Sequence, residues 1–346
     1  MRHPGGLGFL LISTLLYSCA GRIPVDPVVS NPQAVQVSPS PTRPAPTAVV
    51  HQPATGQSTT AQKPLGGGIA LGPALALVQQ VPLGTRDADL SGLTYRVENR
   101  GATELPMTIA ILPPTQAGTV SWELGYEPLP DPSWITATKL GSDTLASGEG
   151  RDFGVRLQIP NEPQWANRRF VACVTARPGN GAGIGAGLSL AARLLIETAS
   201  SDNAAGSSQA LATAPSCVRV TMRPGEIGES SVLIRRPADD ATLTWKRLSE
   251  VEPEAVRRDR YRTPDTAEAP TDMISVSSIG EAPAGALQVL RLALHAPTRS
   301  DATSFEELLV VGAASEIALA ADPQRTRQPQ VALIRCLITL TPQAKL

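Results

Sequence analysis

The stretch from Asp131 to Arg177 most limits what this chain can fold into. It carries Asp131-Pro132-Ser133-Trp134-Ile135, then Leu145-Ala146-Ser147-Gly148-Glu149, then the alternating run Phe153-Gly154-Val155-Arg156-Leu157-Gln158-Ile159-Pro160, and then Arg169-Phe170-Val171-Ala172-Cys173-Val174. Apolar residues at every second position give an extended chain one face for a core and one for water. Pro, Gly, Asn and Asp between the runs turn the chain back on itself. A half-buried antiparallel sheet follows, and such a sheet needs a second one against which to bury its apolar face.

The same patterning extends in both directions. Strands are expected at 74–81, 93–98, 107–112, 119–124, 134–138, 153–159, 169–177 and 188–198, with inward faces such as Leu93, Tyr95, Val97 and Phe153, Val155, Leu157, Ile159. A small, polar stretch at 199–215 reads as a flexible linker. Beyond it, strands are expected at 218–222, 232–235, 241–246, 273–279, 287–295, 305–311 and 331–340, with a charged insertion holding a short helix at 249–270 and a polar loop at 313–330. A length of 346 residues with 42% hydrophobic content suits two cores, at about 150 residues per domain. The fold class is therefore all-β: two tandem immunoglobulin-like β-sandwiches, at 69–198 and 216–346. Val97-Glu98-Asn99-Arg100-Gly101 followed by Pro106, with the Trp-Ile and Ser-Gly-Glu elements downstream, resembles the CARDB and fibronectin type III-like modules of bacterial surface proteins over residues 70–198. That resemblance implies a sandwich and leaves function open.

Arg2 and His3 precede an apolar run from Leu7 to Leu16, well short of the roughly 20 residues that span a bilayer, so residues 1–18 read as a signal peptide. Leu16-Tyr17-Ser18-Cys19 resembles a bacterial lipobox, which implies Cys19 as a lipid attachment site and as the first residue of the mature chain. Ala20 in place of Asp implies an outer-membrane lipoprotein, facing the periplasm or the cell surface. The alternative is an ordinary signal peptide cleaved near Ala20. Residues 19–68 are rich in Pro, Ser, Thr, Gln and Val and are expected to be a disordered tether, because they bury too little apolar surface to offset ordering entropy. In extended form, at about 3.1 Å per residue, such a tether reaches on the order of 150 Å.

Function is less legible. A net charge of -1 gives no footprint for nucleic acid, and 3% aromatic content is too little for a stacking platform. Asp87-Ala88-Asp89-Leu90-Ser91-Gly92 with Glu98 has calcium-loop spacing. Leu93 to Glu98 reads as a strand, however, so a solvated turn without metal is expected. Gly179 to Gly187 is a hairpin loop lacking the helix that a phosphate cradle requires. His295 stands alone outside the leader and tether, which disfavours a triad or a zinc site. Glu306-Glu307 and Asp239-Asp240 are expected on the solvated surface, and of the four tryptophans only Trp165, in a Pro-rich loop, is a candidate for an exposed contact. No cofactor is expected.

Among the cysteines, Cys336 alternates with core residues. Cys173 shares a face with Arg169 and Arg177, and Cys217 one with Arg219, so both are expected to point outward as a possible interdomain disulfide. Free thiols and independently mobile domains are the alternative. These features suggest a non-catalytic, lipid-anchored adhesion or scaffold module, with a membrane as one partner through the lipid and a protein or envelope polymer as another. The alternative is a periplasmic subunit of an envelope or secretion assembly that binds through a sheet edge or loop end. An enzyme ranks third.

Overall fold

Most of the period-two apolar runs form strands, and in the computed structural model of this protein they build two sandwiches; of the strand expected at 119–124, Glu123 and Leu124 are not in a strand and the rest lies outside the described residues. The structure describes residues 49–51, 68–84, 93–118, 123–138, 144–179, 189–201, 211–235, 242–279 and 286–341. The first half contains β1 (Val49–His51), β2 (Ile69–Gly72), β3 (Leu75–Val81), β4 (Thr94–Asn99), β5 (Leu105–Leu112), β6 (Glu127–Pro128), β7 (Ile135–Ala137), β8 (Thr144–Leu145), β9 (Gly150–Leu157), β10 (Arg169–Pro178) and β11 (Leu190–Thr198). The second contains β12 (Ala212–Ala214), β13 (Cys217–Met222), β14 (Ile227–Arg235), β15 (Leu243–Arg247), α1 (Leu248–Val251), α2 (Ala255–Arg258), β16 (Ala267–Glu268), β17 (Ile274–Ile279), β18 (Leu287–His295), β19 (Ser304–Ala313), α3 (Ala314–Ala321) and β20 (Val331–Leu340).

Both halves use one topology. The first pairs a β2-β4-β9-β7 sheet with one containing β3-β11-β10-β5, and the second pairs β12-β14-β18-β17 with β13-β20-β19-β15. In each, the first strand after the chain crosses between the sheets runs parallel to the last, β3 to β11 and β13 to β20. In each, a two-residue strand also lies parallel on the penultimate one, β6 on β10 and β16 on β19. Pro73 and Pro215 sit where the chain leaves its first sheet for the other, as suits a residue with no N–H to donate to a ladder. This duplication is immunoglobulin-like in strand order. It escapes a residue-by-residue comparison because topology constrains which positions are apolar and leaves their identities free.

Between each pair of sheets lies a core. Tyr95, Val97, Phe153, Leu157, Phe170, Leu194 and Ile196 fill the first, and Val232, Ile234, Leu290, Leu292, Leu309, Ile334 and Cys336 the second. A third core joins the two sandwiches. Leu77, Val171 and Leu195 on the outer face of the first sandwich pack with Leu308, Val310 and Leu333 of the second, and with Leu248 and Val251 of α1 and Ile317 and Ala320 of α3. The strands that meet here are therefore buried on both faces, which removes the alternation a one-sided strand would show. Each fully buried side chain of this size contributes roughly 1.5–3 kcal/mol, so the seam is a major part of the fold.

Three further expectations need correction. The 313–330 stretch is no mere loop, because the Ala-rich run 314–321 has high helix propensity and docks Ile317 and Ala320 into the third core as α3. Within the expected tether, Val49–His51 adds as an antiparallel strand to β3, opposite Leu77 to Gln79; paired β-branched residues beside an open sheet edge favour that ladder. The linker contains β12, paired with β14. Its two ends are also clamped by a single residue: Asn167 Oδ1 accepts from Ser200 Oγ, Ser201 N and Ser216 N, while Nδ2 donates to Ser201 O. Asn167 adopts φ +60 to do this, a left-handed conformation that Asn tolerates better than most residues.

Candidate functional site

The seam between the sandwiches carries a buried ionic hub, and strand periodicity explains its position. On each outer face a charged residue stands two positions from an apolar seam residue: Arg169 before Val171, Glu197 after Leu195, Glu306 before Leu308 and Arg335 after Leu333. Period two puts all four charges on the faces that meet. Glu197 is opposite Arg169 in the β10–β11 ladder.

Glu197 is the centre. Arg335 donates to it from Nε at 3.1 Å and Nη2 at 2.7 Å, Arg169 from Nε at 3.3 Å, Tyr126 from Oη at 2.7 Å and Gln79 from Nε2 at 3.3 Å. Arg335 is fully buried, 0% exposed, and also pairs with Glu306 and donates to Tyr261 O at 2.7 Å. Arg169 reaches Leu333 O at 2.5 Å and Ser216 O at 2.9 Å, tying the first sandwich to the second. Glu306 accepts from Thr263 N and from the Thr263 and Thr266 hydroxyls. Deeper in the second sandwich, Arg247 pairs with Glu307 and donates to Thr271 O and Ile274 O.

The electrostatics follow from this geometry. Burial alone would raise the Glu197 carboxyl, but the charges of Arg335 and Arg169, with the donated hydrogen bonds, outweigh it and hold the group at about 2. Burial and Glu197 push the Tyr126 phenol well above its ordinary range, and burial does the same for Tyr261. Burial raises the Glu307 carboxyl against the opposing charge of Arg247. A carboxylate saturated by five donors and this acidic is a weak base. The hub fixes geometry instead.

Beside the hub, a crevice of about 360 Å³ opens between the sandwiches, within the size range of ligand-binding clefts. Tyr126, Arg168 and Arg169 line one side, and Leu211, Gln330 and Val331 the other. Gln328 bridges the rim by donating to the Glu123 and Tyr126 carbonyls. Gly125 approaches Leu333 so closely that a Cβ would stand 2.9 Å from Leu333 Cγ, and its φ of +67 also favours glycine.

Several residues singled out in the sequence lie elsewhere. Cys19, Asp87 to Gly92, Asp239-Asp240 and most of Gly179 to Gly187 fall outside the described residues. Cys173 and Cys217 do not point into solvent: both are buried, and with Cys336 they are thiols that form no disulfide. Their expected solvent faces are the faces that the seam and its surroundings cover. Arg169, whose charge would ordinarily mark the wet side of a strand, is itself buried. Glu306 and Glu307 are likewise buried and ion-paired. Trp165 is half-buried and packs edge-on against Trp134 with ring centroids 4.9 Å apart. His295 is exposed. Among the described residues no group of three or more His, Cys, Asp or Glu side chains is placed to hold a metal ion.

No family model matches this chain, and no curated protein matches it. Among solved structures it is similar to the periplasmic chaperone SfaE, at 9% identity and TM-score 0.26, over 50% of this chain and 94% of that one. It is similar to the E. coli chaperone DraB at 9% identity and TM-score 0.26, over 71% and 91%. The zebrafish RET cadherin-like domains 1 to 4 match at 10% identity and TM-score 0.23, over 80% of this chain and 52% of that one. Likenesses of this degree carry no information on function.

Proposed function

We propose that this protein is a non-catalytic, lipid-anchored component of the cell envelope, an adhesion or scaffold module that holds two immunoglobulin-like sandwiches as one rigid body at the end of a long tether. The observation that carries this reading is the buried seam. Glu197, Arg335 and Arg169 are desolvated between the sandwiches and saturated with hydrogen bonds, so separating the halves would strand charges at a cost of several kcal/mol. A surface fixed in this way binds without losing the entropy of ordering two mobile domains. The lipobox-like residues ending at Cys19 and the Pro-rich stretch after them supply the anchor and the reach.

The second reading, a periplasmic subunit of an envelope or secretion assembly, is favoured by the crevice. Leu211 and β12 form part of its wall, and β12 is the terminal strand of its sheet, where an extended partner segment can add. The test of the anchor is Cys19→Ala. Cell fractionation should show the variant leaving the membrane fraction with an unchanged melting temperature, and the parent's mature N-terminus should be Cys19. Identical partitioning, with a different N-terminus, overturns the lipid anchor. Crosslinking in intact cells then separates the readings: capture of envelope-assembly subunits supports the second, and labelling at the cell surface the first.

A further inference from the structure

A second charged cluster, joined to the Glu197 hub through Tyr261, whose Oη donates to Glu123 and whose carbonyl accepts from Arg335, has a different balance. Its floor is two carboxylates whose side chains are each 2% exposed: Glu123, shortly before β6, and Glu252, directly after α1. Arg193 of β11 contacts Glu123 at 2.6 Å, Arg257 of α2 contacts Glu252 at 3.1 Å, and Arg260 stands 4.0 Å from Glu123. Arg325 meets Glu252 at 3.7 Å and also donates to Ala320 O at the end of α3, which gives it a local structural task. Even with Arg325 set aside, three guanidiniums share two carboxylates.

Depth separates the two signs. The carboxylates are sunken, whereas Arg193, Arg257 and Arg260 reach water with side-chain exposures of 29%, 21% and 39%. The negative side is weakened further. Glu252 Oε2 is buried without a hydrogen-bond partner, and burial raises that carboxyl despite its arginine neighbours. The positive side is under-used: at 4.0 Å the Arg260 contact is too long for a hydrogen bond. What faces solvent is therefore a group of guanidinium donors with excess positive charge, contributed by both sandwiches.

We propose that Arg193, Arg257 and Arg260 form a binding site for a phosphate group. Guanidinium forks match phosphate oxygens and make strong charge-assisted hydrogen bonds with them. A tetrahedral phosphate presents acceptors to three donors arriving from different elements, whereas a planar carboxylate presents only two oxygens. The phosphate belongs either to a membrane headgroup or to a soluble phosphorylated molecule. The site is independent of the scaffold reading, which survives its failure.

The test uses the full chain carrying Cys19→Ala, so that no attached lipid contributes, and two probes: inorganic pyrophosphate by titration calorimetry, and flotation with phosphatidylcholine vesicles with and without phosphatidic acid. Pyrophosphate should bind and weaken with added salt. Arg260→Ala should reduce affinity about tenfold, the scale of one charge-assisted hydrogen bond, and Arg260→Glu should reduce it further, both at an unchanged melting temperature. Arg260→Lys should restore part of the loss. Binding of pyrophosphate alone identifies a soluble phosphate compound, whereas flotation with phosphatidic acid vesicles, with or without pyrophosphate binding, identifies a lipid headgroup. The proposal is overturned if neither probe binds, or if Arg260→Glu binds as tightly as the parent.

Discussion

Glu197→Gln perturbs the seam at its centre. The substitution keeps the shape and removes the charge, leaving the buried Arg335 and Arg169 facing an amide that offers one acceptor oxygen and brings two donors of its own. Two routes lead to the same magnitude. A carboxyl held at about 2 rather than its ordinary 4.5 favours its charged form by about 3 kcal/mol, at about 1.4 kcal/mol per tenfold change in proton affinity. Removing one member of a buried ion pair costs roughly 3–5 kcal/mol in general. A loss of about 3 kcal/mol at neutral pH is expected, with a melting temperature lower by roughly 6 °C for a chain of this size.

The pH dependence has a definite sign. Glu197 is more acidic when folded, so its contribution is complete above its ordinary 4.5 and disappears as pH falls toward about 2. Urea unfolding of parent and variant over that window should show the gap closing as acid is added. A neutral-pH loss below about 1 kcal/mol, or a gap that stays constant through the window, would refute the argument that a charged Glu197 holds the seam.

Asn167→Ala removes four hydrogen bonds to Ser200, Ser201 and Ser216; it should cost about 2–3 kcal/mol and speed hydrogen exchange at the Ser201 and Ser216 amides, and unchanged exchange would show that the linker is held elsewhere. Cys173, Cys217 and Cys336 are buried, and burial raises the Cys217 and Cys336 thiols, so all three should resist alkylation until the chain unfolds; a Cys173–Cys217 link on non-reducing peptide mapping would contradict the buried placement of both.

How much of this is legible in the sequence depends on which contact each residue serves. Strands such as β4 and β9 face a core on one side and water on the other, so Tyr95, Val97, Phe153 and Leu157 announce their faces by alternation. β10 and β19 do not. Phe170-Val171-Ala172-Cys173-Val174 and Leu308-Leu309-Val310-Val311 are unbroken apolar runs, the pattern of a strand covered on both faces, so the sequence does carry a sign of the seam. Arg169 and Glu306 mask it, since a charge in a strand normally marks the wet side. Here Arg169 donates to carbonyls on the other half of the chain, and Glu306 pairs with Arg335, which itself reaches across the seam to Glu197; sequence spacing does not encode that arrangement. α3 escapes the sequence pattern for a related reason: its Ala-rich run has propensity but few large apolar residues, and its docking depends on a third core that exists only once the sandwiches meet.

The rigidity of the two sandwiches is tested most directly by the distance between them in solution. Spin labels at Gln158→Cys in the first and Glu229→Cys in the second would sit on exposed positions, while the buried native thiols stay unlabelled. Pulsed electron–electron resonance should give one narrow distance distribution, which broadens when Glu197→Gln is added. A broad distribution in the parent, of the kind expected for a flexible small-residue linker, would contradict a seam that holds the two sandwiches as one body.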